Sequence, residues 1–288
     1  MRPGHVPSTS VGTDDDLARA VALLAGRRLV ALTGAGLSTD SGIPDYRGPG
    51  SPGRTPMTYD EFCSGRAAQQ RYWSRAFVGW QHMAGAGPNA GHHSLVALER
   101  GSVVTSLVTQ NVDGLHAAAG HRRLLDLHGR LSEVVCLACQ AISPRARLQT
   151  RLAALNPTRA RADSNDVEIA PDGDALVEDA AEFEIAGCEA CGGRLKPHVV
   201  FFGENVPRQR VTTATAWVDE AEALLVVGSS LTVMSGFRFV RQAARIGMPI
   251  VIVNRGATRG DELASVRVDA GCSPTLGALV ETLLGVPA

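Results

Sequence analysis

Short apolar runs alternate with amphipathic segments along most of the chain. Residues 28–32, 223–227 and 249–253 are almost continuously apolar, and glycine or polar residues follow each run. Such runs are typical of parallel strands that are buried on both faces of a sheet. Between them, apolar side chains recur at helical spacing, as at Leu17, Val21 and Leu24, with Gly26 placed as a C-terminal cap. This alternation predicts an α/β fold with a doubly wound, Rossmann-like parallel sheet.

The same pattern assigns the other elements and two interruptions. Further strands are predicted at "SVVTSLVTQNVDG", "RLLDLHG", "HVVFFGE" and "VRVDAG", and helices at "NAGHHSLVALERG", "TATAWVDEAE", "SGFRFVRQAARIG" and "LGALVETLLG". The interruptions are a helical module over residues 50–87 and an irregular, cysteine-containing module over residues 135–195. We predict that residues 14–49, 88–134 and 196–288 form the Rossmann-like domain and that the two modules form an inserted, smaller domain.

The unusual polar residues and glycines collect where the predicted strands end. They are Gly34, Ala35, Gly36 and Ser38; Gln110, Asn111 and Asp113; His128; Gly203 and Glu204; Gly228, Ser229 and Ser230; Asn254, Arg255 and Gly256; and Asp269 with Cys272. Ligands of open α/β sheets bind beyond the carboxyl ends of the strands. One G-x-G alone is typical of a tight turn, and one histidine alone is typical of a structural role. Convergence at seven strand ends instead indicates one ligand site.

Residues 32–48, "LTGAGLSTDSGIPDYRG", look like a phosphate-binding loop but depart from the dinucleotide pattern. Thr39 occupies the position of the third glycine in G-x-G-x-x-G, and a rigid "IPDYR" follows where a nucleotide-binding fold would continue its helix. The segment therefore predicts a phosphate cradle joined directly to Asp45, Tyr46 and Arg47.

Four of the six cysteines form two C-x-x-C pairs, Cys136 with Cys139 and Cys188 with Cys191. Four thiolates in this arrangement are typical of a structural zinc site. A redox C-x-x-C pair is the alternative, but no thioredoxin-like βαβ pattern surrounds either pair. Cys63 is interpreted as a small buried apolar residue.

Composition narrows the class of protein. The chain has 288 residues, a formal net charge of −1 and Lys196 as its single lysine, so no basic surface for nucleic acid or anionic membrane is predicted. No apolar run is long enough to span a bilayer, and the N-terminal "MRPGHVPSTSVGTDDD" is interpreted as a short disordered leader without an export signal. A cytoplasmic location is the expectation.

The sequence resembles the sirtuins, the NAD-dependent protein deacylases. The motifs "GAGLSTDSGIPDYR", "TQNVDGLH", "LHG", "VVFFGE", "VGSSL" and "VNRG", together with the paired C-x-x-C, carry the resemblance over nearly the whole chain. "QQRYWSRAFVGW", "LNPT", "APDGD" and "CGGRLKPHVVFFGE" are similar to the class II branch, which includes a mitochondrial lipoamidase and ADP-ribosyltransferase.

The resemblance implies that NAD is consumed as a co-substrate while an acyl group leaves a protein lysine, giving nicotinamide and O-acyl-ADP-ribose. It implies that His128 is the general base and that Asn111 orients the ribose or water. For NAD binding it implies Gly34, Ala35 and Gly36 at the pyrophosphate through their N–H groups, Asp45, Tyr46 and Arg47 at the nicotinamide ribose, Asp113 at the carboxamide, Ser229, Asn254 and Cys272 at the adenosine half, and Gln110, Gly228, Ser230, Arg255 and Gly256 beside them.

The substrate is expected to be an acyl-lysine-bearing protein. By resemblance, Val200, Phe201, Phe202, Gly203 and Glu204 would pair with the extended peptide by β-augmentation. Tyr72 and Arg75 form the Y-x-x-R of the desuccinylase branch, which would bind an acidic acyl group, but the flanking residues favour an Arg75 that points to solvent. His198 stands where sirtuins of that branch usually have Asp, so this chain departs from the resemblance beside that strand.

Three other functions remain open at this point. Mono-ADP-ribosyl transfer would use the same NAD site with another acceptor. An oxidoreductase is compatible with the G-x-G and the parallel sheet but lacks the third glycine. A zinc-ribbon binding module is disfavoured by the near-neutral charge.

Overall fold

The computed structural model describes residues 13–47, 56–160, 170–175 and 182–285. In those ranges the strands are, in chain order, β1 (Leu29–Thr33), β2 (Val104–Thr109), β3 (Leu124–Asp126), β4 (Gly129–Cys136), β5 (Ile142–Pro144), β6 (Leu195–Val199), β7 (Ala223–Val227), β8 (Ile250–Val253) and β9 (Val266–Val268).

The α-helices of the same ranges flank these strands. They are α1 (Asp14–Leu24), α2 (Tyr59–Cys63), α3 (Arg66–Gly85), α4 (Ala90–Arg100), α5 (Leu115–Ala119), α6 (Arg145–Leu155), α7 (Pro157–Ala160), α8 (Arg208–Glu220), α9 (Met234–Arg245) and α10 (Cys272–Leu284). Two 3₁₀ helices, Ala35–Ser41 and Asp261–Leu263, follow β1 and precede β9.

The larger sheet, here called the parallel sheet, has the strand order β3-β2-β1-β7-β8-β9, and all of its described pairs are parallel. Every residue of β1, β7 and β8 is buried, as the continuous apolar runs predict. Leucines and alanines of α1, α4 and α10 cover one face. Apolar residues of α8 and α9 cover the other. The predicted doubly wound, Rossmann-like sheet is therefore confirmed.

The start of the fold follows the local sequence. The Thr13 side chain accepts a hydrogen bond from the Asp16 N–H and so caps α1. The three acids assigned to a disordered leader are thus the first turn of a helix, where they interact favourably with its dipole. The rest of that leader lies outside the described residues. The C-terminal cap is Ala25, one residue before the predicted Gly26, which follows it with φ of 70°.

The smaller sheet, here called the small sheet, has the order β5-β4-β6 and is antiparallel. The prediction that "HVVFFGE" is a strand of the parallel sheet is therefore wrong. Its first part belongs to β6, which ends at Val199 and pairs with β4. An apolar run indicates that a strand is buried, but it does not indicate which strand pairs with it. In this case the pairing strand, β4, is antiparallel.

The helical and cysteine-containing modules share one core with the small sheet. Phe62, Trp73 and Phe77 of α2 and α3 pack with Leu148 and Leu152 of α6. The guanidinium of Arg145 is also buried there, 5.3 Å and 5.0 Å from the ring centroids of Trp73 and Trp80. The exact domain boundaries stay a prediction, although β4 and β6 extend across the positions proposed at 134/135 and 195/196.

Across the four described ranges, none of the helices combines the length and apolar character that a membrane-crossing segment requires.

Candidate active site

A cavity of about 810 Å³ opens at the carboxyl ends of the parallel strands. Residues from every predicted strand end except the last contribute to its wall. Among the predicted site residues it is lined by Gly34, Ala35, Gly36, Asp45, Tyr46, Arg47, Tyr72, Gln110, Asn111, Asp113, His128, Val200, Phe201, Phe202, Gly203, Glu204, Gly228, Ser229, Ser230, Asn254, Arg255 and Gly256. The predicted convergence on one ligand site thus has a physical counterpart in this cavity.

The two glycines of the first loop permit a close approach of two chain segments. A Cβ on Gly34 or Gly36 would lie 2.8 Å or 3.0 Å from the carbonyl oxygen of Gly228. The Gly34 N–H donates to Val227 O (3.0 Å) and the Gly36 N–H donates to Gly228 O (2.8 Å). The prediction that these N–H groups are directed at a pyrophosphate is therefore wrong for both glycines, because the neighbouring strand end already uses them.

A chain of hydrogen bonds connects the first loop with the end of β2. Asn111 Nδ2 donates to Gly34 O (3.1 Å) and to Ser38 Oγ (3.0 Å). Ser38 Oγ in turn donates to Asp113 Oδ2 (2.7 Å), and Asp113 Oδ1 accepts from the Leu115 N–H (2.8 Å). Burial raises the pKa of Asp113, and its two hydrogen bonds oppose that shift. Asn111 and Asp113 are thus fixed in orientation before any ligand binds.

His128 is oriented by a hydrogen bond at each ring nitrogen. Nδ1 lies 2.8 Å from the carbonyl oxygen of Gln110, which can only accept, so Nδ1 carries the proton in the neutral ring. Nε2 lies 2.8 Å from Ser235 Oγ and accepts from that hydroxyl. Burial lowers the pKa of His128, the Gln110 hydrogen bond opposes the shift, and Arg210 adds to it. The ring is therefore neutral near pH 7, with a basic nitrogen at the cavity wall.

The ends of β7 and β8 form the opposite part of the wall. Ser229 Oγ accepts from Gln110 Nε2 (2.8 Å) and from the Leu231 N–H (3.2 Å). Asn254 Nδ2 donates to the carbonyl oxygens of Arg255 (2.7 Å) and Gly256 (3.2 Å) and closes the loop after β8.

Cys272 is the predicted NAD-binding residue that the cavity wall does not include. It begins α10 and is buried beneath Gly228, where a Cβ would lie 3.2 Å from its Sγ. Burial raises the pKa of this thiol to about 12. Cys272 therefore packs under the loop, and its side chain does not reach the cavity.

The segment after β6 is a turn and not the extended strand that was predicted. The Glu204 N–H donates to Phe201 O (3.0 Å), and Gly203 has φ of 82°, a left-handed conformation that suits glycine. Phe202 forms a single parallel bridge with Thr58. Phe201 is buried, as expected for the core-facing position. The pairing of a substrate peptide along Val200–Glu204 stays a prediction.

Lys196 stabilises this turn from below. Lys196 as a whole is 3% exposed, and its ammonium lies 2.8 Å from Glu204 Oε2 and also donates to Val199 O. The same Glu204 oxygen accepts from the Phe201 N–H (2.9 Å). Burial lowers the pKa of Lys196, and the hydrogen bond that the ammonium donates to Glu204 opposes that shift.

Tyr72 and Arg75 lie on one face of α3, but only Tyr72 reaches the cavity wall. Arg75 Nη2 pairs with Asp174 Oδ2 at 2.8 Å, and Arg75 Nε donates to Ala175 O at 3.0 Å. The Arg75 side chain is 21% exposed. The favoured interpretation, an arginine that points to solvent, is wrong, because a neighbouring loop supplies two acceptors.

The four paired cysteines come together at one corner of the small sheet. Cys136 Sγ and Cys191 Sγ are 3.5 Å apart, Cys139 Sγ and Cys188 Sγ are 3.8 Å apart, and all four sulfurs lie within 4.8 Å of one another. Tetrahedral zinc with Zn–S bonds of about 2.3 Å requires sulfurs about 3.8 Å apart. The sulfur positions therefore fit a closed, structural zinc site.

Sequence reasoning missed several residues of the wall. Ser235, on the first turn of α9, contacts His128, yet the sequence shows it only as part of a helix. Asp172 and Asp174 also line the cavity. Their segment, "APDGD", resembles the class II branch, but nothing in the sequence places it at the cavity, because the contact bridges distant parts of the chain.

Comparisons with known proteins agree with this architecture. A model of the Sir2 family matches residues 34–235. The chain is 54% identical over 270 residues to NAD-dependent protein deacetylase 1 of Mycobacterium avium (strain 104), covering 93% of this chain and 95% of the relative. It is 51% identical over 280 residues to NAD-dependent protein deacetylase 1 of Streptomyces coelicolor, covering 94% and 91%.

Solved structures give the same result. A complex described as Sir2, p53 peptide and NAD+ superposes with a TM-score of 0.72 at 28% identity, covering 92% of this chain and 97% of that chain. A structure described as Sir2 bound to acetylated peptide gives the same values. With the family model matched over most of the chain and relatives above 50% identity along nearly its whole length, this protein belongs to the Sir2 family and is a sirtuin-type enzyme.

Proposed function

We propose that the protein is an NAD-dependent protein-lysine deacylase. The observation that carries the proposal is a neutral His128 whose Nε2 faces a cavity built from the strand ends of a nucleotide-binding fold. Relatives that match along nearly the full chain are named NAD-dependent protein deacetylases, which supports the same activity here.

The chemistry assigns His128 the role of general base. NAD, when bound, supplies an electrophilic ribose carbon and nicotinamide as the leaving group. Nε2 of His128 would take a proton from a ribose hydroxyl, and Ser235 would give up its own hydrogen bond to that nitrogen. A base with a lowered pKa stays deprotonated at neutral pH, as this step requires.

Asn111 and Asp113 would position the nicotinamide riboside. Asn111 uses Nδ2 in two hydrogen bonds within the protein, so its carbonyl oxygen is the group that it offers to a ribose hydroxyl or a water. Asp113 would accept from the carboxamide of nicotinamide. Tyr46, whose ring centroid is 6.1 Å from that of Phe202, would shield the reacting carbon from water.

The four-cysteine group would hold one zinc ion with a structural role. Four thiolates leave no open coordination position, so the metal would contribute folding free energy to the small sheet and take no part in catalysis.

Three finer features belong to the same proposal. We assign the chain to the class II branch, supported by the four motifs quoted above, of which "APDGD" contributes Pro171, Asp172 and Asp174 to the cavity wall. Acyl groups longer than acetyl, including lipoyl and acidic ones, remain candidates on the resemblance to that branch. A cytoplasmic location stays a prediction.

One assay tests the activity. Purified protein is incubated with NAD and an acetyl-lysine peptide, and the products are separated by mass. Free nicotinamide with O-acetyl-ADP-ribose is the expected result, and omission of the peptide is the control. ADP-ribosylated protein without peptide deacetylation would favour mono-ADP-ribosyl transfer instead, while NADH would indicate an oxidoreductase.

A further inference from the structure

One wall of the cavity joins two tyrosines with two carboxylates. This surface, here called the acidic wall, consists of Tyr46, Tyr72, Pro171, Asp172 and Asp174. Burial is the largest cause of the raised pKa of both tyrosines, and Asp172 is the next. Asp174 raises both as well, so the two hydroxyls and the two carboxylates lie close enough to interact.

The segment that carries the two acids is packed tightly on α3. Within it, the Gly173 N–H donates to Ala170 O (2.8 Å) and the Ala170 N–H donates to Asp174 O (2.9 Å). A Cβ on Gly79 of α3 would lie only 1.9 Å from Gly173 O, so the helix and the segment touch backbone to backbone. The carboxylates are therefore held at the wall by a compact turn.

The arginine that could bind an acidic acyl group is already engaged by this turn. Arg75 binds the Asp174 carboxylate and the Ala175 carbonyl, and the Asp174 side chain is only 10% exposed. An entering carboxylate would have to compete with a partly desolvated ion pair, in which each partner satisfies the other.

Asp172 and Asp174 affect both tyrosines more strongly than the nearby arginines do, and Arg145, which acts on Tyr72, is the weakest of the charges that act on that hydroxyl. Arg47 is the cation that acts on Tyr46, and its lowering effect on that pKa is smaller than the raising effects of Asp172 and Asp174. Like charges a few ångströms apart in a poorly solvated site disfavour each other strongly, whereas a neutral group meets no such opposition.

We propose that the acidic wall is the specificity determinant of the acyl site. It admits neutral acyl groups and rejects acyl groups that carry a carboxylate, because Asp174 keeps Arg75 in an ion pair. The proposal rests on the deacylase function proposed above.

Three peptides that differ only at the modified lysine isolate the charge. They carry acetyl-, succinyl- and succinamoyl-lysine, the last having a carboxamide in place of the carboxylate. In the wild type, kcat/KM for succinamoyl-lysine should exceed that for succinyl-lysine by about tenfold or more. Asp174→Asn should reduce this ratio about tenfold by releasing Arg75, and adding Arg75→Met should restore it.

Two further variants keep the test decisive. Asp172→Asn leaves the ion pair in place and should also reduce the ratio, even if Asp174→Asn does not fold. Glu189→Gln removes one negative charge from an exposed pair with Arg147 on the small domain, and its ratio should equal that of the wild type.

Equal kcat/KM for succinyl- and succinamoyl-lysine in the wild type would overturn the proposal, as would an unchanged ratio in both aspartate variants. Equilibrium binding of the fluorescently labelled peptides, measured by anisotropy, reports the same preference without turnover. A wild type that binds succinamoyl-lysine over succinyl-lysine but deacylates none of the peptides would reject the deacylase function while supporting the acidic wall.

Discussion

The parallel sheet and the small sheet are stabilised by different means. Strands β1 and β7 are buried along their whole lengths between helices, so the burial of apolar side chains is the main contribution to their stability. Strand β5 of the small sheet is largely exposed, with Ile142 at 54%. That sheet depends on the four-cysteine group and on the core it shares with α3 and α6.

His128 lies on the link between these two sheets. Strand β3 ends at Asp126 in the parallel sheet, and β4 begins at Gly129 in the small one. A Cβ on Gly129 would lie 2.0 Å from His198 O, which holds the link close to β6. The position of the base therefore depends on both sheets, while the residues at the ends of β7 and β8 depend on one.

Loss of the metal site should have the largest effect and should separate the two sheets. Cys188→Ser removes one thiolate, and a structural zinc contributes about 10–16 kcal/mol to folding in small zinc-finger peptides. We expect loss of bound zinc and of hydrogen-exchange protection in β4 and β6, with protection in β1 and β7 retained.

Cys63→Ser is the matched control, because Cys63 lies outside the four-cysteine group. Stoichiometric zinc in Cys188→Ser, or equal loss of protection in both sheets, would contradict the distinction between them.

Removal of the His128 side chain tests whether this residue between β3 and β4 acts in catalysis and not in stability. His128→Ala should lower kcat by about 10²–10⁴-fold, since general base catalysis contributes factors of that order. NAD affinity and the melting temperature should stay close to those of the wild type. Ser235→Ala, which removes only the hydrogen bond to Nε2, should retain more activity than His128→Ala. Turnover of His128→Ala near the wild-type rate would exclude this residue as the base.

Paired truncations compare the apolar contributions of the two sheets. Leu225→Ala in β7 leaves a cavity in a fully buried core and should lower the free energy of unfolding by about 2–5 kcal/mol. Ile142→Ala in β5 should change it by less than about 0.5 kcal/mol. Urea denaturation monitored by circular dichroism measures both. Similar losses for the two variants would show that β5 is better packed than its exposure indicates.

A mild decrease in pH should weaken the core of the parallel sheet. Burial lowers the pKa of His92 to about 4, with His121 and His93 adding to the shift and Asp40 opposing it. The His92 ring packs 4.8 Å from the ring of His116. An unfolded histidine titrates near 6.5, so this stability is present above that pH and is lost as the pH falls toward about 4.

Between about pH 7 and pH 5, His92 should lower the free energy of unfolding by about 2 kcal/mol. Each pH unit below the unfolded pKa of about 6.5 contributes about 1.36 kcal/mol. His92→Gln should show a shallower pH dependence of unfolding in urea. A wild type with the same stability at both pH values would contradict the assignment.

The sequence predicted the parallel sheet well because β1, β7 and β8 are buried and consist of continuous apolar runs. Polar residues at the strand ends likewise predicted the cavity, since topology brings those ends together. The partner of β6, the Arg75–Asp174 pair and the engaged N–H groups of Gly34 and Gly36 were not predictable in this way. Each depends on a contact between segments whose local sequences carry no sign of the other.

The burial of Lys196 bears on whether the enzyme can itself be acylated. It is the single lysine of the chain, and its amino group is buried against Phe201 and Glu204. Reactive thioesters acylate lysines by contact with exposed, neutral amines, and the described surface presents arginine in their place. A side-chain mark of the type that the protein is proposed to remove would therefore have to form on this one buried amine.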